Sequence, residues 1–137
     1  MNIFLTFDYE LFFGSDSGSV EQCMLRPTED LLKIARNKEV RYTFFVDVGY
    51  ILKAEKYPEL EMELTKVKDQ LKSMIAEGHD IQLHVHPHWE KSIYSNGEWS
   101  MNTKGAYKLS DYSGAEALDI LTRYKSKLEE LKGDKIH

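Results

Sequence analysis

The stretch from Val40 to Val85 constrains the fold most. Val40-Arg41-Tyr42-Thr43-Phe44-Phe45-Val46 is too apolar for a surface strand and reads as a central, parallel one. Pro58-Glu59 then opens a long helix in which Leu60, Leu64, Val67, Leu71 and Met74 recur at 4-3-4-3 spacing. Lys66, Lys68, Asp69 and Lys72 form its solvated side. Gly78 ends that helix, and a second strand begins at once. Ile81, Leu83 and Val85 share one of its faces, and Asp80, Gln82 and His84 share the other. Strand, crossover helix and strand in this order predict a parallel sheet.

The flanks extend the pattern. Residues 2–7 form a short apolar run that predicts a buried strand. Gly14-Ser15-Asp16-Ser17-Gly18-Ser19 is a flexible connector by composition. Arg26-Pro27-Thr28-Glu29-Asp30 opens a helix, with Pro in the first turn and acids at the positive end of the dipole. Ile93-Tyr94-Ser95-Asn96-Gly97-Glu98-Trp99 predicts a hairpin closed by Asn-Gly. Tyr94, Trp99 and Trp89 either stack on a flat sugar face or pin this segment to the body. Ser113-Gly114-Ala115-Glu116 is a capping box that starts a third helix. Its expected core face is Ala117, Leu121, Tyr124, Leu128 and Leu131, and Gly133 caps it. Lys135-Ile136-His137 reads as the start of a fourth strand.

Composition removes several function classes. At 137 residues the chain fits one domain, with 42% hydrophobic and 30% charged residues. The net charge is -5 and no basic stripe occurs, which argues against a nucleic-acid partner. A single cysteine, Cys23, excludes an internal disulfide framework. No apolar run reaches the ~18 residues of a membrane span, and the N-terminus lacks the basic lead of a signal peptide. These features predict a cytoplasmic protein with no membrane partner.

The chemistry is concentrated at the strand ends. Four of the five histidines, His79, His84, His86 and His88, lie between Gly78 and Trp89. Pro87 stops the strand, so the histidines gather where a strand passes into a turn. Two pairings are open. His84 and His88 come within about 6 Å only on a helical turn, whereas His84 and His86 share one face of a continuing strand. The first strand ends in Asp8-Tyr9-Glu10, two acids on one face. Asp47 ends the second. Carboxylates and imidazoles at one sheet edge suit metal-assisted hydrolysis, with a spare carboxylate as general base. His84, His88 and one of Asp8 or Glu10 form the expected ligand set, with the other acid as base. Zinc suits these donors best, and cobalt, nickel or manganese also fits.

Three segments carry a family resemblance. Thr6-Phe7-Asp8-Tyr9-Glu10 resembles the acid-rich TFDD-like first motif of the metal-dependent polysaccharide deacetylases (carbohydrate esterase family 4). Thr43-Phe44-Phe45-Val46 resembles their second-strand TFFV. Gly78-His79-Asp80-Ile81, followed by His84 and His88, resembles their GHEI segment and H-x-x-x-H. Order and spacing agree along nearly the whole chain. The resemblance implies a distorted (β/α) barrel, removal of N- or O-acetyl groups from a saccharide or another acetylated small molecule, and a divalent metal. It implies Asp8 as catalytic base and His84 and His88 as metal ligands. Tyr9 replaces the family's adjacent second acid, so Glu10 would supply the metal carboxylate one position later. His86, Trp89 and Asp47 are then expected around the ligands or against substrate.

The family's later motifs contain an arginine that orients the base and a histidine that protonates the leaving group. Neither has a match here. The resemblance therefore implies one domain over 1–137 that lacks its C-terminal half: a parallel sheet of alternating strands and helices, about half a barrel. A truncated domain would expose a sheet edge, which predicts a homo-oligomer that covers it. A monodisperse monomer in sedimentation would contradict that. The rival readings are a catalytically incomplete module that binds metal or saccharide, and another metallohydrolase that uses His84 and His86.

Overall fold

The computed structural model describes residues 3–12, 17–101 and 103–133. Three parallel strands form its main sheet: β1 (Thr6–Tyr9), β2 (Thr43–Asp47) and β3 (Asp80–His84), in the order β1-β2-β3. β2 is central, and Phe44 and Val46 on it are fully buried, as its apolar sequence requires. The register pairs Tyr9 with Val46 and Asp47 with His84. The C-terminal ends of the strands are therefore level, and the residues that follow them meet at one rim. The fold is α/β, an open parallel sheet consistent with part of a (β/α) barrel.

β1 lies later than the sequence suggests. A strand is expected over residues 2–7, but the ladder begins where β2 begins, with Thr43 N–H donating to Leu5 O at 3.1 Å. Ile3, Phe4 and Leu5 precede the ladder and are exposed. The shift puts Asp8 inside the strand and Glu10 just beyond its end. Tyr9 between them is buried, and its hydroxyl donates to Gln70 Oε1 at 2.9 Å. β2 is also displaced, from an expected 40–46 to Thr43–Asp47.

Among the described residues four helices cover the sheet: α1 (Arg26–Lys38), α2 (Val48–Ala54), α3 (Glu61–Ala76) and α4 (Gly114–Lys132). A π turn, Glu21–Leu25, runs into α1 without a break. Pro27 has no N–H for the carbonyl of Cys23, and a widened turn absorbs that mismatch. α2 is absent from the sequence reading. It follows β2 directly, and the unbroken apolar run hides the change of period from 2 to 3.6. The α3 face is as expected, with Leu64, Val67, Leu71 and Met74 buried and Leu60 buried just before it. In α4 the capping box forms: Glu116 N–H donates to Ser113 Oγ at 3.3 Å, and Ser113 N–H donates to the Glu116 carboxylate at 2.8 Å. Its core face is corrected. Ile120, Tyr124 and Leu128 are buried at one-turn spacing, and Leu121 is exposed.

The hairpin is present as β4 (Ile93–Ser95) and β5 (Glu98–Ser100). Asn96 and Gly97 have φ of 53° and 84°, the pair of positive values that a type I′ turn needs. Trp99 packs on Tyr50, Tyr57, Trp89 and Tyr94 at centroid distances of 5.0–6.0 Å. That cluster fastens the hairpin to α2 and to the turn after β3. Gly49 on α2 permits the approach: a Cβ there would lie 2.7 Å from Trp89 Cδ1 and 2.8 Å from the Tyr124 hydroxyl. The expected strand at 135–137 lies outside the described residues, as does part of the loop at 14–19.

Candidate metal centre

The rim places Glu10, His84 and His86 together. β1 delivers Glu10 at its end, β3 ends in His84, and His86 follows two residues on. Both imidazoles turn Nε2 toward the same carboxylate oxygen, Glu10 Oε2. His84 lies 3.2 Å from it and His86 lies 2.6 Å from it. The two rings meet edge to face at 4.3 Å. One ligand atom from each residue falls within 4.8 Å of the others.

The electrostatics follow from this contact. Burial pushes the Glu10 carboxyl up, but hydrogen bonds from His84 and His86 outweigh it and hold the group down at about 2. The same bond from Glu10 raises His84, and the charges of Asp8 and Asp47 add to that pull. Two imidazole nitrogens thus face one carboxylate oxygen. These donors fit a divalent cation on two counts. One carboxylate with two imidazole nitrogens is a donor set that a divalent cation accepts. Tetrahedral ligands at about 2.0–2.2 Å from an ion lie roughly 3.3–3.6 Å apart; the His84–Glu10 separation of 3.2 Å is close to this, and the His86–Glu10 pair at 2.6 Å would have to open to admit an ion.

The other expected residues take different places. Asp8 is exposed on β1 beside this cluster. His88 is fully buried in the 3-10 turn Pro87–Lys91, its ring 5.5 Å from His86 and 5.0 Å from Trp89. Burial and the neighbouring His86 depress it to about 4. Of the two pairings the sequence leaves open, the cluster found among the described residues contains His86 and not His88. Asp47 is buried at the head of α2, and its Oδ2 accepts a short hydrogen bond from the Trp89 indole. Burial pushes this carboxyl up to about 7, against smaller opposing pulls from His86 and Trp89. Asp47 therefore ties the end of β2 to the turn that carries His86 and His88.

Several supports of the rim had no clear signal in the sequence. Glu90 accepts from Arg123 at 3.1 and 3.2 Å and from the Tyr124 hydroxyl at 3.0 Å, which anchors the histidine turn to α4. Tyr112 OH donates to Pro87 O at 2.8 Å on the same turn. Gln70 reaches from Tyr9 to Leu25 O, at 2.8 Å. Only the acid of Glu90 next to Trp89 could have suggested any of this.

The profile of the polysaccharide deacetylase family matches residues 2–137. The chain belongs to the polysaccharide deacetylase family. That membership covers all three rim strands and the histidine turn, and it makes a deacetylase-type hydrolase the activity at family level. Deacetylases of this family are generally metal-dependent and act on saccharides. Searches of the curated proteins and of the solved structures find no match. No helix among the described residues of this deacetylase domain is long and apolar enough to cross a membrane.

Proposed function

We propose that this chain is a metal-dependent hydrolase that removes acetyl groups, as amide or ester, from a saccharide. The observation that carries the reading is the convergence of His84 and His86 on Glu10 Oε2. Glu10, His84 and His86 would hold a divalent ion, zinc before cobalt, nickel or manganese. Bound there, the ion supplies Lewis acidity, which polarises an acyl carbonyl and lowers the pKa of water. His88 carries the family resemblance for the third ligand position and lies directly behind His86.

Asp8 is the base in this reading. Its exposed carboxylate takes a proton from the attacking water, and the products are acetate and a free amine or alcohol. Asp47 holds the Trp89 indole and so keeps the turn that presents His86 in place. The setting that accompanies this reading is the cytoplasm. The test is acetate release from an N-acetyl-oligosaccharide. Asp8→Asn is expected to lower the rate at least about a hundredfold and to leave the bound ion in place. Unchanged acetate release from Asp8→Asn would overturn the base assignment.

A second reading is a module that binds metal or saccharide without turnover. The placement of the arginines favours it. Of the four arginines, Arg36 bonds Glu29 and Glu77, Arg41 bonds Val40 O, Arg123 bonds Glu90 and Asp119, and Arg26 opens α1; none bonds Asp8 among the described residues. Bound ion with no acetate release from the wild-type chain would establish that reading over the first.

A further inference from the structure

A groove of about 530 Å³ opens beside the rim, between the segment after β1, the start of α3 and the hairpin. Leu11, Gln22, Glu63, Tyr94, Glu98 and Trp99 are among the residues that line it. It adjoins the candidate metal centre along two paths. Leu11 follows Glu10 in the chain, and the Trp99 ring packs 5.0 Å from Trp89, the residue after His88. The groove and the cluster are thus neighbours at the rim through Glu10–Leu11 and Trp89–Trp99.

The lining has a definite chemistry. Tyr94 and Trp99 offer aromatic surface for the C–H face of a pyranose, and Gln22 offers an amide for its hydroxyls. Glu63 and Glu98 supply two carboxylates, and no lysine or arginine among the described residues lines the groove. Glu63 Oε1 accepts from Tyr50 OH at 2.7 Å, which fixes that carboxylate in place. The negative charge of Glu63 also helps to raise the Tyr94 phenol, after burial, so the two groups share one local field. The hydroxyls of a neutral sugar can also donate to carboxylates, but two carboxylates with no lysine or arginine beside them among the described lining residues favour a ligand that brings its own ammonium group.

We propose that this groove is a subsite for a cationic amino sugar, the de-N-acetylated unit next to the one at the metal centre. The inference rests on the deacetylase reading only for the orientation of the ligand chain. The ammonium lies against Glu63 and Glu98, and the ring lies on Trp99 and Tyr94. The site then prefers a saccharide that already carries a free amine, and product units aid binding of the chain they belong to.

The test is binding, read by the fluorescence of Trp89 and Trp99 with a chelator present, using a glucosamine trimer and an N-acetylglucosamine trimer. The glucosamine trimer is expected to bind at least tenfold more tightly at low salt. Glu98→Gln and Glu63→Gln should each cut that preference severalfold, and raised salt should do the same in the wild type. Glu98 is exposed, and Gln at 63 keeps an acceptor for Tyr50, so neither variant threatens the fold. Equal affinity for the two trimers, no binding of either, or a preference that survives both variants would overturn the subsite. Acetate release from the N-acetylglucosamine trimer, with metal, is assayed in parallel. Release without amine preference sinks the subsite alone, and amine preference without release sinks the hydrolase reading alone.

Discussion

β3 has a histidine at each end, and the two do opposite work. His79 sits just before the strand, buried, with its ring stacked on Tyr42 at 5.6 Å. Its Nδ1 accepts the Tyr42 backbone N–H at 3.1 Å, and burial lowers its affinity for a proton. His84 sits at the other end, 3.2 Å from a carboxylate that raises its affinity for a proton. The residue type is the same, and the strand is the same. What differs is the partner each nitrogen faces: a backbone donor at one end, an anion at the other. A histidine facing a donor is a structural acceptor, and one facing a carboxylate with a second imidazole beside it is the candidate ligand.

The sharpest way to break the comparison is at the third ligand. Separate His86→Ala and His88→Ala variants should differ in metal affinity by at least about tenfold, with His86 the costlier, because a ligand loss exceeds the 10–100-fold cost of a supporting residue. A costlier His88 would hand the third position to the residue the family resemblance names. At the other end of β3, His79→Ala should leave metal binding unchanged. It removes the acceptor of a buried N–H and is expected to cost about 1–3 kcal/mol of stability in chemical denaturation. Metal loss in that variant would erase the distinction drawn here.

A smaller effect is the pH response of the metal-free protein. Glu10 is lowered from 4.5 to about 2, so its contribution is full above 4.5 and fades as pH falls through about 2. His84 is raised above 6.5, so its contribution is full below 6.5 and fades as pH rises through its folded value. The pair therefore stabilises most between about pH 4.5 and 6.5. Glu10→Gln should flatten the stability profile across that window, as read by thermal unfolding at a series of pH values. Identical profiles for the variant and the wild type would remove Glu10 and His84 as a coupled pair.

The same contrast separates what was legible in the sequence from what was not. The parallel sheet, the α3 stripe, the Asn-Gly hairpin and the Ser113 capping box are written in local patterns of period and turn chemistry. So is the gathering of acids and histidines at one edge, because parallel strands put their ends on one side. α2 was hidden, since Val48–Ala54 continues the apolar run of β2 and only Asp47 marks the change. The choice of partner for His84 was also beyond the sequence. Spacing allows both His86 and His88, and the choice depends on how the Pro87 turn, the Asp47–Trp89 bond and the Glu90 network tilt three rings. Gly49 gave no signal either, because its role is set by Trp89 and Tyr124, far away in the chain.

The central claim is that the rim holds one divalent ion, and metal content tests it most directly. The wild-type chain, supplied with zinc or cobalt and then desalted, should retain about one equivalent. The Glu10→Ala/His84→Ala double variant, folded by circular dichroism, should retain none. A wild type that keeps no ion, or a double variant that keeps a full equivalent, would contradict the account.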